Sequence, residues 1–322
     1  MSSDSQTQPP LVAIVGPTGA GKTAASVALG ALMPAEIINA DSRSFYRGMD
    51  IGTAKPDLDD RSRVPHHLVD ILDPDDPMSL ATFQDLTYAC IDEIQSRGRV
   101  PLLVGGTPQY VNAVVEGWSI PRVPPNESFR QKLEREAEAD GVAPVLARLR
   151  AIDPEAAEKC GPNLRRIIRS LEVFDATGIP ITELQSRHAV PFRTLEIELH
   201  APRGLLYARI DARVDAHIQR GLVEEVASLL EQGVPSTASA FGSIGYRQML
   251  PYLRGETTLD AAIERIKFDS HRLVRQQQTW FRKNDRLIRI ETTAPGWVDA
   301  LAGLVTDFTR SWFSEIGAPL PE

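Results

Sequence analysis

The stretch Gly16-Pro17-Thr18-Gly19-Ala20-Gly21-Lys22-Thr23 constrains this chain more than any other feature. It fits G-x-x-x-x-G-K-[ST], and its setting suits that motif. The apolar run Leu11–Val15 before it reads as a buried strand, and Thr23–Leu32 after it has helix-forming composition. Glycines let backbone N–H groups wrap a phosphate, and a helix N-terminus adds a favourable dipole. Lys22 supplies a mobile cation, and the Thr23 hydroxyl can ligand Mg²⁺. The loop therefore calls for a di- or triphosphate ligand, nucleotides such as ATP included, without naming it.

Ala35–Ala40 (AEIINA) and Pro101–Val104 (PLLV) read as further buried strands, and Ser79–Ser96 has helical periodicity with Ser79 as N-cap. Strands alternating with helices imply a parallel sheet covered on both faces. In such a sheet the residues just past the strand C-termini face the ligand crevice. This places Asp41-Ser42 and Gly105-Gly106-Thr107 beside the phosphate loop. Asp41 reads as a general base or a magnesium contact, against the plainer alternative of a solvated loop residue or helix cap. Gly-Gly-Thr alone is equally a tight turn.

After Trp118 the character changes. Ile120–Asn126 is proline-rich and reads as a linker, and Glu127–Gly178 is strongly helical, with stops at Gly141 and Gly178. Thr194–His200 returns to strand composition, and helices dominate again over Arg203–Gly233 and Leu259–Arg282. The expected class is α/β: a P-loop NTPase-like parallel sheet core with an all-helical insertion domain and a helical C-terminal part. The expected division is a disordered tail over 1–10, a core over 11–119 and 193–322, and an insertion over 120–192.

The net charge is −8, which argues mildly against a nucleic-acid partner overall. Charge is uneven, however. Arg265, Lys267, Arg272, Arg275, Arg282, Lys283, Arg286 and Arg289 face only Asp269 and Asp285 over the same stretch, a basic stripe able to bind a polyanion. Cys90 and Cys160 form neither a disulfide framework nor metal spacing and read as reduced thiols of a cytosolic protein. The longest apolar run, Leu11–Val15, is far below the ~18 residues of a membrane span, and Met1–Pro10 lacks the pattern of a signal peptide.

A phosphate loop leaves several classes open, and the neighbouring stretches narrow them. Asp41–Pro56 (DSRSFYRGMDIGTAKP), Val64–Pro74 (VPHHLVDILDP), Val104–Tyr110 (VGGTPQY), Ser243–Gln248 (SIGYRQ) and Gln278–Arg282 (QTWFR) together resemble the bacterial tRNA dimethylallyltransferases, in the right order from about Leu11 to Arg282. The resemblance implies transfer of a dimethylallyl group from dimethylallyl diphosphate to N6 of adenosine-37 beside the tRNA anticodon, with loss of pyrophosphate and with Mg²⁺ as cofactor. It implies that Gly16–Thr23 hold the diphosphate, that Asp41, Lys22, Thr23 and Arg213 carry the chemistry, and that Thr23 meets the metal. It implies tRNA contacts at Asp41, Ser42, Arg43, Ser44, Thr107, Arg130, Arg165, Arg166, Ile167, Ile168, Arg169, Gly245, Tyr246, Arg247, Arg275 and Arg282. The helical insertion would bind the anticodon stem-loop, and the expected protein is a cytoplasmic monomer.

The residues themselves leave plainer readings in place. Arg213 is also a helix-surface arginine with Asp211 and Asp215 at hand, and Arg165, Arg166 and Arg169 are also a solvated face, with Ile167 and Ile168 turned inward. His66-His67 diverge as adjacent side chains and make a poor chelate, which favours a structural or positioning role. Trp280 and Phe281 read as core rather than stacking platforms. The chain departs from the family's usual pattern at Gly19-Ala20, Pro108-Gln109, Gly161, Gly242-Ser243 and His271. The competing classes are a small-molecule P-loop kinase and a non-catalytic RNA-binding P-loop protein.

Overall fold

The computed structural model describes residues 8–318. They divide into two compact units, 8–115 with 191–318 and, between these stretches of sequence, 116–190.

The first unit is built on six parallel strands: β1 (Pro10–Val15), β2 (Ala35–Asn39), β3 (His66–His67), β4 (Val100–Gly105), β5 (Arg193–His200) and β6 (Ile288–Glu291), in the order β3-β2-β4-β1-β5-β6. β1, β2 and β4 are buried along their whole length, which explains their unbroken apolar composition. Each fully buried Leu, Ile or Val side chain there contributes roughly 1.5–3 kcal/mol. Helices α1 (Lys22–Leu32), α2 (Leu58–Arg63), α3 (Leu80–Ser96) and α4 (Pro108–Val115) connect the early strands. Ser79 caps α3 by accepting the Thr82 N–H at 3.0 Å, as its sequence position implies.

Register brings the functional loops to one level. Val15 pairs with Gly105, Val104 with Asn39, and Val15 with Glu198. The chain leaves β1, β2 and β4 at the same edge of the sheet, where the order reverses around β1 and a crevice opens.

The disordered tail expected over Met1–Pro10 is corrected at its end. Met1–Thr7 lie outside the described residues, and Pro10 begins β1 opposite Arg193, whose N–H bonds the Pro9 carbonyl. The sequence pattern also gives no sign of β3, β6 or the last helix.

The second unit, 116–190, comprises α5 (Glu127–Asp140), α6 (Val142–Ile152), α7 (Pro154–Cys160), α8 (Leu164–Thr177) and α9 (Ile181–Leu184). Its core includes Leu133, Val145, Leu149, Ile167, Ile168 and Leu171. Gly141 and Gly178 end α5 and α8 with positive φ. The proline-rich stretch before α5 is fastened: Arg169 donates to the carbonyls of Pro121 (3.0 Å) and Val123 (2.9 Å).

The chain after β5 forms α10 (Arg203–Gln219), α11 (Leu222–Glu231), α12 (Tyr246–Leu253), α13 (Leu259–Phe281) and α14 (Trp297–Glu315), all within the first unit.

Candidate active site

A cavity of about 820 Å³ occupies the crevice, and every residue lining it belongs to the first unit. Gly16 opens the phosphate loop at φ +147°, and a Cβ there would lie 2.2 Å from the Leu199 carbonyl oxygen, so only glycine fits. Lys22 is the first residue of α1 and folds back to donate to the carbonyls of Gly16 (2.9 Å) and Pro17 (3.1 Å). Burial lowers the Lys22 pKa to about 8; Asp41 opposes that shift and Arg213 adds to it. Thr18, Gly19, Gly21, Lys22 and Thr23 line the cavity. Ala20 does not: its side chain is fully buried in the core and its N–H is spent on the Pro17 carbonyl (3.2 Å). The expected diphosphate contact at Ala20 is therefore corrected to a packing role. Pro17 is buried, and it supports the loop through its carbonyl.

Asp41 lines the same cavity. Its N–H donates to Asn39 Oδ1 (3.0 Å), and its carboxylate accepts the Arg43 N–H (3.0 Å). The Asn39 amide also donates to the carbonyls of Asp41 (3.1 Å) and Leu68 (2.9 Å). A buried asparagine at the end of β2 thus shapes the turn that presents the aspartate. Ser42, Arg43, Ser44, Thr107 and Gly245 line the cavity too.

Arg213 reaches the cavity from α10. The neighbouring acids are engaged elsewhere, Asp211 with His271 (2.8 Å) and Asp215 with Lys267 (2.8 Å), and among the described residues Arg213 has no ion-pair partner. Burial lowers its pKa, yet a guanidinium stays charged. One turn on, burial together with Arg213 and Arg220 lowers His217 to about 4, leaving an uncharged ring on the wall. Ile210, Val214, Ile244 and Ile266 add apolar surface beside it.

Gln277 was missed in the sequence. Its amide oxygen accepts the Thr18 N–H (3.0 Å) and its amide nitrogen donates to the Gly106 carbonyl (2.7 Å), so α13 braces the phosphate loop against the loop after β4. A signal was available: Gln277 lies between Val274 and Phe281 on the buried face of an amphipathic helix.

Several expected tRNA contacts are corrected by burial. Ile167 and Ile168 are 0% and 4% exposed in the core of the helical unit, where their side chains cannot meet RNA. Tyr246 is fully buried, its hydroxyl bonded to Glu225. Arg130 pairs with Glu172 through Nε (2.8 Å), and Arg169 pairs with the same carboxylate (2.7 Å), so both hold the helical unit together. Arg247 meets Asp269 (3.1 Å) and Arg275 meets the Tyr207 hydroxyl (3.0 Å). Arg165, Arg166 and Arg282 are exposed. The basic stripe is partly spent, since Arg265, Lys267, Arg286 and Arg289 form ion pairs with Asp269, Asp215, Glu196 and Glu198.

The histidine pair splits as its spacing implies. His66 lines the cavity with Nδ1 on the Val64 carbonyl (2.7 Å), while His67 bonds Glu36 (2.6 Å). Among the described residues no group of three His, Cys, Asp or Glu side chains could hold a metal. Phe281 is core as expected, but Trp280 lines the cavity. His271, where the family usually has arginine, stacks on Tyr207 with ring centroids 4.0 Å apart. No helix among the described residues is long and apolar enough to cross a membrane.

Comparison with known proteins gives one consistent result. The chain is 50% identical over 293 residues to the tRNA dimethylallyltransferase of Thermomicrobium roseum, covering 91% of this chain and 89% of that one. It is 51% identical over 288 residues to the tRNA dimethylallyltransferase of Chloroflexus aggregans, covering 89% and 97%. Among solved structures, the full-length tRNA isopentenylpyrophosphate transferase of Bacillus halodurans superimposes with TM-score 0.72 at 38% identity, over 96% of this chain and 99% of that chain. The family model described as IPP transferase matches residues 44–284, and the chain belongs to that family.

Proposed function

We propose that this chain transfers the dimethylallyl group of dimethylallyl diphosphate to N6 of adenosine-37 in the tRNA anticodon loop, releasing pyrophosphate. The observation that carries the reading is a single cavity lined by a phosphate loop, an unpaired arginine, a carboxylate and an apolar wall. That combination suits an amphiphilic diphosphate and a nucleophile that must lose a proton.

In the reaction the N6 lone pair forms a bond to the allylic carbon as the carbon–oxygen bond to the diphosphate breaks. The electron pair leaves with pyrophosphate, whose developing charge is met by Lys22, Arg213 and the N-terminus of α1. Asp41 accepts the N6 proton. An exocyclic adenine amine is a weak nucleophile, so alignment over the allylic carbon matters as much as basicity. The uncharged wall of Val214, Ile244, Ile266 and neutral His217 suits the hydrocarbon group.

The donor set suits Mg²⁺ only in company with substrate. Thr23 and Asp41 offer hard oxygens, too few for a protein-only cage, and magnesium is commonly held by one or two protein oxygens plus phosphates. Thr23 would hold the ion, which when bound neutralises charge on the leaving group.

Arg165 and Arg166 on the outer face of α8 suit phosphate contacts with the anticodon stem-loop, and the target base must leave its stack to react. The reading takes the protein as a cytoplasmic monomer. Its test uses dimethylallyl diphosphate labelled in the hydrocarbon and two tRNA transcripts, one with adenosine and one with guanosine at position 37. Label should enter the first and not the second. Equal labelling of both, or of neither, overturns the reading.

A further inference from the structure

Glu225 lies in the first turn of α11 and does not itself line the cavity, yet it holds two stretches that do. One carboxylate oxygen accepts the N–H groups of Asp50 (2.9 Å) and Ile51 (2.8 Å). The other accepts the Gly52 N–H (3.3 Å) and the Tyr246 hydroxyl. Three successive amides converging on one carboxylate form a backbone anion nest whose anion the protein supplies itself. Burial and the neighbouring Glu225 raise the Tyr246 pKa, so the phenol remains a donor.

Both stretches joined in this way line the cavity. Gly52, Thr53, Ala54 and Pro56 come from the loop after β2, and Ser243, Ile244 and Gly245 precede α12. They meet tightly, because a Cβ on Gly52 would lie 2.4 Å from Cε2 of Tyr246. The far end of the first loop has its own fastening: the buried Lys55 ammonium pairs with Asp50 and Asp70 and donates to the Tyr46 carbonyl (2.7 Å). Ala54, between the two fastenings, is held at φ +51°, a conformation that a side-chain-bearing residue keeps only when its surroundings over-determine it.

We infer that Glu225 is a positioning residue: it locks the 50–56 wall of the cavity to the 243–246 wall and thereby aligns the acceptor with the allylic carbon, leaving the grip on the diphosphate to other residues. The inference rests on the prenyl-transfer reading above. The packing of α11 runs through Leu222, Val226 and Leu229 and not through this carboxylate. The phosphate loop is braced independently by Gln277.

The test compares Glu225→Ala and Glu225→Gln with the unaltered enzyme on tRNA and dimethylallyl diphosphate, together with the dissociation constant of inorganic pyrophosphate. Misplacement of about an ångström costs up to about a hundredfold in rate, so Glu225→Ala should lower kcat by about tenfold to a hundredfold. KM for dimethylallyl diphosphate and pyrophosphate affinity should stay within about threefold. Glu225→Gln keeps the acceptor for Asp50 and Ile51 and should recover much of kcat, and amide exchange over 48–56 should rise in the alanine variant but not in the glutamine one. A kcat for Glu225→Ala within about twofold of normal overturns the inference, as does a loss carried wholly by KM or by weakened pyrophosphate binding. Should the alanine variant not fold, Tyr246→Phe decides, because it removes the bond from Glu225 to the 243–246 wall: normal kcat and unchanged exchange over 48–56 in that variant overturn it. Failure of the unaltered enzyme to prenylate tRNA would instead strike the functional reading.

Discussion

Raising the pH should release the diphosphate through Lys22. Burial brings this ammonium to about pH 8, so near neutrality most molecules carry the charge that the ligand needs. The anion binds the protonated form, so affinity is full below about pH 8 and is lost as pH rises through that value. Above it the dissociation constant should climb about tenfold per pH unit, or about 1.4 kcal/mol per unit. At about pH 9 binding should be about tenfold weaker than at about pH 7. The last ionisation of a phosphate monoester lies near pH 6, so a ligand of this kind contributes little to that trend. Isothermal titration of dimethylallyl diphosphate from about pH 7 to about pH 9.5 measures it. Lys22→Arg supplies the control, because a guanidinium keeps its charge throughout and should erase the inflection. A flat profile in the unaltered protein, or the same inflection in Lys22→Arg, would refute the argument that this buried amine governs diphosphate binding.

Asp41→Asn keeps an acceptor for the Arg43 N–H and hence the turn, so both substrates should still bind while single-turnover transfer slows by at least about a hundredfold; near-normal transfer with weakened tRNA binding would make Asp41 a positioning contact. Replacing Arg165 and Arg166 together should lower the log–log salt slope of tRNA binding by about one unit or less for each phosphate left unneutralised, with dimethylallyl diphosphate binding unchanged, whereas an unchanged slope returns these arginines to a solvated face. Burial alone would raise the Glu172 pKa, but hydrogen bonds from Arg130, the Asn126 N–H and Arg169 bring it to about 2. Its contribution to stability is present above the usual carboxylate pKa and lost as pH falls toward about 2; Glu172→Gln should therefore unfold at lower temperature near pH 7, with the gap closing in acid, and a pH-independent gap in thermal melts would contradict this.

What the sequence made legible follows from how local each signal is. The unbroken apolar runs of β1, β2 and β4 announce strands buried on both faces, and the phosphate loop follows from glycines and a lysine at fixed offsets. β3 has two residues and β6 four, too short for any periodicity, and each exists because a neighbouring strand offers a free edge. Arg213 could be placed near the diphosphate only by resemblance, since Asp211 and Asp215 beside it suggested a surface pair that the fold redirects to His271 and Lys267. The Arg-Arg-Ile-Ile-Arg run shows where resemblance misleads and helical pattern does not: resemblance assigned all five residues to RNA, while packing buries both isoleucines, as their spacing implies, and ties Arg169 to Glu172. Asn39, Gln277 and Glu225 escaped notice for a common reason. Each works by bonding backbone groups far away in the chain or in its own turn, and a single polar residue carries no mark of that task.

In the proposed reaction the phosphate loop serves a leaving pyrophosphate rather than a transferring phosphoryl group. The direct measurement incubates the protein with dimethylallyl diphosphate, Mg²⁺ and unmodified tRNA, then digests the RNA for mass analysis of its nucleosides while assaying pyrophosphate. N6-(dimethylallyl)adenosine and pyrophosphate should appear in equal amounts, with no requirement for ATP. Pyrophosphate release without the modified nucleoside, or transfer of phosphate from ATP under the same conditions, would contradict it.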